Sequence, residues 1–285
     1  MQQIDWRHFE SLEFPNEELN LAKEQAHQAV QPVSAVARKF LPEVPNDANA
    51  TLAWVPGFTR LAGHWVTGVR SFRASFSFLD FNIYLVDEKV NTISQIQLLG
   101  KSQNQLLIWL EEQIGKLELD ASGLTMNLPY DLPDYDSKGT SVFSAEQQMV
   151  LELSKYYHNT YVVLKEVCKS MGLEDFTIQI WPHHFDLAVS IIVKDTGDPE
   201  TDSTVSLGMS PGDEELNEPY FYVNTWPHVK TTDLPKLASG AKWHEESWTG
   251  AVLAASQVVN QPDQKEIVSR FFETVSEILI AELKS

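Results

Sequence analysis

The sequence predicts an α+β protein, mainly antiparallel sheet with packed helices, arranged either as two pseudo-duplicated helix–four-strand–helix halves or as one irregular domain with a large antiparallel sheet. Three observations predict it. Long runs with apolar residues three or four apart open and close each half. Between them lie short segments of period two, joined by turns. A Pro- and Asp-containing stretch with no periodic run separates the halves, so we place an N-terminal half at 1–125, a linker at 126–143 and a C-terminal half at 144–285.

The first residues carry Trp6, Phe9, Leu12 and Phe14, expected to pin an irregular arm to the body. From Asn16, the positions Leu19, Ala22, Ala26, Ala29, Val33, Val36 and Phe40 mark a helix. Pro32 should kink or break it, because proline lacks the amide proton and crowds the preceding turn. Pro42 and Pro45 should end it. Thr51–Val55 reads as a strand and Pro56-Gly57 as a turn. The stretch 64–98 is β-rich: Phe72, Ala74, Phe76 and Phe78 alternate with Arg73, Ser75 and Ser77. Phe81, Ile83 and Leu85 resume the alternation only after a slip, which predicts a bulge or bend near Asp80. Asp87-Glu88-Lys89 turns the chain into a strand at 92–98. Ser102-x-x-Gln105 has the form of a capping box, in which two side chains satisfy free amides at a helix start. Leu106, Trp109, Leu110, Ile114 and Leu117 line the helix behind it.

In the linker, Pro133, Asp134, Asp136 and Gly139 break any period. Ser144-x-x-Gln147 is a second expected capping box, leading a helix that stops at Gly172. Strands are expected at 177–181, 185–193, 204–209 and 220–226, and a last helix from Asp263-x-x-Glu266. Residues 231–261 have no clear period.

The chain has 285 residues with 40 Asp and Glu against 21 Lys and Arg, a formal charge of −19. Such charge repels phosphate backbones and anionic lipid, so neither nucleic acid nor membrane is an expected partner. No apolar run approaches the roughly 20 residues of a membrane span, and the first residues have no signal-peptide pattern, so a cytoplasmic location is expected. Cys168 is the single cysteine and sits among Val163, Leu164 and Val167. It reads as a buried structural thiol rather than a nucleophile or metal ligand.

The words Phe185-Asp186-Leu187-Ala188, Gly208-Met209-Ser210-Pro211-Gly212-Asp213 and Glu218-Pro219-x-Phe221-Tyr222 resemble a bacterial family of uncharacterised proteins, domain of unknown function 5996. His64-Trp65, the strand at Phe81 and Leu128-Pro129-Tyr130 stand in a similar order. The resemblance spans most of the chain. It implies a shared fold and a shared site region, with His183 and His184 before the Phe-Asp-Leu-Ala word, and it implies no activity.

The densest chemistry lies in Trp181-Pro182-His183-His184-Phe185-Asp186. Alternation on a strand puts His184 and Asp186 on one face and His183 on the other, whereas a bend after Pro182 turns both imidazoles to a cleft. Adding the aromatic run that ends at Trp226 and His228, and the polar stretch Trp243-His244-Glu245-Glu246-Ser247-Trp248, gives the candidate ligand-binding set: Trp181, His183, His184, Asp186, Trp226, His228, Trp243, His244 and Glu245. Aromatic faces and a carboxylate suit a small molecule with a flat or cationic part. A core histidine and a buried, hydrogen-bonded aspartate are the structural alternative. Arg60, Arg70 and Arg73 are candidate anion-binding residues, with ion pairing to Asp80 or Asp87 as the structural alternative. The expected function is small-molecule binding in an aromatic, histidine-lined cleft of the C-terminal half. A metal-assisted hydrolase on His183, His184 and Asp186 is one alternative, and a non-catalytic homo-oligomeric interaction protein is the other. The residues name no cofactor, and no phosphate loop or nucleophile elbow is present.

Overall fold

The structure, a computed structural model, describes residues 7–15, 17–44, 47–133, 135, 141–198 and 201–285. Trp6, Asn16, Pro45, Asp134, Asp136 and Gly139 lie outside the described residues. Among the described residues, two antiparallel sheets and four α-helices make an α+β fold. The chain divides into two units, one formed by Asn20–Ser154 with Ile180–Phe185, the other by Met1–Leu19, Lys155–Gln179 and Asp186–Ser285.

The first unit begins with helix α1 (Asn20–Phe40), which passes through Pro32 without a break. The reason is a substitute donor. Proline leaves the carbonyl of Gln28 without its helical partner, and the side-chain amide of Gln103 donates to that carbonyl at 2.9 Å. Strands β1 (Ala53–Val55), β2 (Arg60–Val66), β3 (Phe72–Ser77), β4 (Asn82–Val86) and β5 (Thr92–Gln97) form an antiparallel sheet in sequence order. The slip anticipated near Asp80 is a full chain reversal: Ser77 pairs with Asn82, and Phe81 takes a left-handed backbone at φ 53°. At the next turn, Asp87 accepts the amides of Lys89 at 3.0 Å and Asn91 at 2.8 Å. Helix α2 (Gln103–Gly115) starts with both halves of the Ser102–Gln105 capping box in place. Phe72, Ala74, Phe76, Ile83 and Leu85 share the face that buries the core, with α1 packed across β2 and β3. Arg60, Ser75, Ser77, Asn82 and Tyr84 share the other.

Helix α3 (Gln147–Ser170) carries the chain from the first unit to the second. Its expected capping box does not form. Gln147 sends its amide to the carbonyls of Phe78 at 2.7 Å and Leu79 at 3.1 Å, while the amide of Ser144 is taken by Gln25 at 2.7 Å. Gly172, at φ 78°, closes the helix as its amide donates to Lys169 at 3.0 Å. Cys168 is buried, and burial pushes its thiol up to about 11.

The second sheet runs β10-β11-β9-β8-β7-β6, built from β6 (Gln179–Trp181), β7 (Asp186–Lys194), β8 (Ser203–Ser210), β9 (Tyr220–Trp226), β10 (Lys242–His244) and β11 (Gly250–Ala254). β10 and β11 lie in the stretch without a clear sequence period. Helix α4 (Gln264–Lys284) packs across β7, β8, β9 and β11, with Phe272 edge-on to Phe221 at 6.0 Å. Asp263 precedes α4 but its side chain makes no cap. The N-terminal arm is pinned by amide side chains rather than by its aromatics alone. Asn159 exchanges two 2.7 Å bonds with the backbone of Glu10, and Gln264 bonds the amide of Leu12 at 2.8 Å and its carbonyl at 3.1 Å. No helix among the described residues is long and apolar enough to cross a membrane.

Candidate functional site

The chain passes between units at Phe185–Asp186, so the sequence cluster is divided: Trp181, His183 and His184 belong to the first unit, Asp186, Trp226, His228, Trp243, His244 and Glu245 to the second.

In the first unit the turn 182–185 is held from α1. Its geometry rests on the amide of Phe185 donating to the carbonyl of Trp181 at 2.7 Å, with Phe185 at φ 57°. The carbonyl of Pro182 faces two side chains, Gln31 Nε2 at 2.7 Å and His27 Nε2 at 2.7 Å. A carbonyl only accepts, so His27 carries its proton on Nε2 and Nδ1 accepts from the hydroxyl of Tyr135 at 2.7 Å. His27 is stacked on Phe185 at 5.0 Å with 2° between the ring planes. Burial lowers its pKa from 6.5 to about 4, outweighing the Pro182 carbonyl that favours the charged form. His27 is therefore a neutral structural latch. It leaves His183 against Tyr130 at 5.4 Å, Trp181 at 5.9 Å and His184 at 4.4 Å. Burial first, and His184 next, lower His183 to about 4, so it too is neutral near pH 7. His184 is exposed.

The three candidate anion-binding arginines, all in this unit, have separate partners. Arg70 pairs with Asp87 at 3.1 Å. Arg73 donates to the carbonyls of Gly63 and Ala62, filling the register shift in β2. Arg60 lies with its guanidinium 3.6 Å above the ring centre of Tyr84.

In the second unit the face of the sheet away from α4 carries a contact chain. Asp186, on β7, accepts a short hydrogen bond from the hydroxyl of Tyr222, on β9. The phenol must cross the intervening strand β8, and it does so at Gly208, which pairs with both Ala188 and Tyr222. A Cβ on Gly208 would stand 2.6 Å from Cζ and Oη of Tyr222, so only glycine leaves room. Burial and the Asp186 charge both push the Tyr222 hydroxyl well above its ordinary value, which keeps it a donor. Trp248 covers the pair: its ring meets Tyr222 at 6.0 Å and lies near-parallel to Tyr220 at 6.5 Å. His244 sits 4.4 Å from Trp248, with Nε2 3.2 Å from a carboxylate oxygen of Glu215, at an angle outside hydrogen-bond geometry. Tyr220 donates to Asp213 at 2.5 Å. Two of the candidate residues, Asp186 and His244, are thus joined through Tyr222 and Trp248.

The others in this unit lie elsewhere. Trp226 and His228 pair edge-on at 5.5 Å, with Trp226 exposed. Trp243 alternates with His244 along β10 and ties its indole to the carbonyl of Pro235 at 2.9 Å. Glu245 is exposed. Sequence reading passed over His27, Gln31 and Tyr135, whose partners are remote in sequence, and over the role of Gly208, although that residue stands in a recognised word.

A family model matches residues 12–279, that of a family of unknown function, DUF5996. The chain belongs to that family. No curated protein and no solved structure matches it. The Phe185-Asp186-Leu187-Ala188 and Gly208–Asp213 words of this DUF5996 protein contain the carboxylate, the glycine gap and the Tyr220 partner of the contact chain just described.

Proposed function

We propose that this DUF5996 protein binds a small molecule on the sheet face formed by Asp186, Tyr220, Tyr222, His244 and Trp248. The observation that carries the reading is the Asp186–Tyr222 pair: a buried carboxylate whose phenol partner is admitted only because position 208 lacks a side chain. Burying an aspartate costs free energy unless it is bonded, so a fold that clears a strand to place one there supports a use for its charge. Indole and phenol rings beside a carboxylate favour a ligand with a positively charged or donor-rich head and a flat apolar part. The net charge of −19 draws cationic ligands toward the protein in general.

The test is tryptophan fluorescence and thermal shift against a panel of primary amines, quaternary ammonium compounds and neutral sugars. Binding by one class, weakened about tenfold or more in Asp186→Asn and in Trp248→Ala, supports the reading, an effect of the size expected for one charged hydrogen bond. A panel without a hit, or a hit indifferent to both changes, defeats it. The metal-hydrolase alternative gains no support: among the described residues no group of three or more His, Cys, Asp or Glu side chains is placed to hold a metal ion.

A further inference from the structure

The β1–β5 sheet carries a second polar cluster, independent of the site just proposed. Its face away from α1 is read in register. Arg60 pairs with Ser77, and Ser77 with Asn82; one step along, Ser75 pairs with Tyr84. Asp80, in the turn between β3 and β4, accepts from the Tyr84 hydroxyl and from Asn82 Nδ2 at 3.3 Å, both on the same oxygen, Oδ2. Asn82 Nδ2 also lies 3.5 Å from the Tyr84 hydroxyl oxygen. Arg60 covers the Tyr84 ring at 3.6 Å. The six side chains form one patch.

Within that patch four polar atoms are sealed from solvent and lack a hydrogen-bond partner among the described residues: Arg60 Nε, Ser75 Oγ, Asp80 Oδ1 and Asn82 Oδ1. Ser75 is 2% exposed and Asn82 7%. A sealed polar atom without a partner destabilises the fold relative to a satisfied one, so four together are a standing destabilisation. Their pattern is specific. Two are pure acceptors, one is a guanidinium donor, and the hydroxyl can do either. The acceptor side is carboxylate and amide, the donor side is a cation.

We propose that this patch binds a free α-amino acid, with its carboxylate on Arg60 and its ammonium group on Asp80 Oδ1, Asn82 Oδ1 and Ser75 Oγ. An ammonium group supplies the donors that these oxygens lack, and the carboxylate meets the guanidinium edge in a charge-assisted bond. Arg60 is partly exposed and stands at the rim on a flexible stem, so its swing off the Tyr84 ring opens the way in. Arg70 and Arg73, already engaged, are not part of it.

Titration calorimetry and thermal shift with each standard L-amino acid test the proposal, with sodium acetate, methylammonium chloride and glycerol as controls. One or more amino acids should bind, and neither half-molecule nor glycerol should match them at equal concentration. Arg60→Gln should weaken binding about tenfold or more. Ser75→Ala should weaken it several-fold without lowering the melting temperature of the free protein, because it deletes an unpartnered hydroxyl. Asp186→Asn should leave it intact, which separates this site from the one proposed on the second sheet. Absence of binding, equal binding of glycerol, or binding that survives both Arg60→Gln and Ser75→Ala overturns the proposal. So does binding lost in Asp186→Asn and retained in Arg60→Gln.

Discussion

Gln103 Nε2 donates to the carbonyl of Gln28 at 2.9 Å, and that carbonyl is the one Pro32 deprives of its helical partner. A residue at the start of α2 thus repairs a defect in the middle of α1. Gln103→Leu should destabilise the protein by about 1–3 kcal/mol, the cost of a buried acceptor left unsatisfied. In a Pro32→Ala background the helical amide returns, and the same change should cost clearly less. Chemical denaturation of the four proteins in a double-mutant cycle measures the coupling. Additive effects would show that the two residues are unconnected.

Gly208→Ala places a methyl group 2.6 Å from Tyr222 and 2.7 Å from the carbonyl of Leu187. Strand backbone cannot yield easily, so Tyr222 must leave Asp186. The expected loss is about 1–3 kcal/mol, in the range of overpacked cores. Ultraviolet titration adds a specific readout. In the native protein the Tyr222 hydroxyl, raised by burial and the Asp186 charge, should not ionise with the exposed tyrosines, and in Gly208→Ala one more tyrosine should join them.

His27 sets a pH dependence. Its folded pKa is lowered from 6.5 to about 4 by burial, so between those values the unfolded chain binds the proton and the folded chain does not. Stability should be full above pH 6.5 and fall as pH drops toward 4, by about 3 kcal/mol for this residue. Denaturant midpoints measured across that window check it. His27→Gln, which keeps a side-chain donor for the Pro182 carbonyl, should flatten the slope even where it lowers the plateau.

Cys168, with its thiol raised to about 11 by burial, should react slowly with a thiol reagent at pH 8 in the folded protein and at once after unfolding. Fast labelling of the native protein would contradict its buried position in α3.

The sequence by itself determined the α+β class, the capping box at Ser102, the end of α3 at Gly172, the buried thiol and the family. These rest on short-range rules: periods of two and 3.6, caps within four residues, turns built by Asp and Gly. It also marked Asp186 and His244 as residues with chemistry to offer. Only the tertiary structure decided that Pro32 leaves α1 whole, that Gln147 abandons its cap for the Phe78 carbonyl, and that the chain changes unit between His184 and Asp186. It alone gave Asp186 the phenol of Tyr222, across a strand opened by Gly208. Hydrogen-bond partners are chosen by distance in space, and a carbonyl or carboxylate takes the nearest free donor whatever its place in the chain. That choice leaves no periodic trace along the residues, so it becomes visible only when the sheets bring distant strands into register.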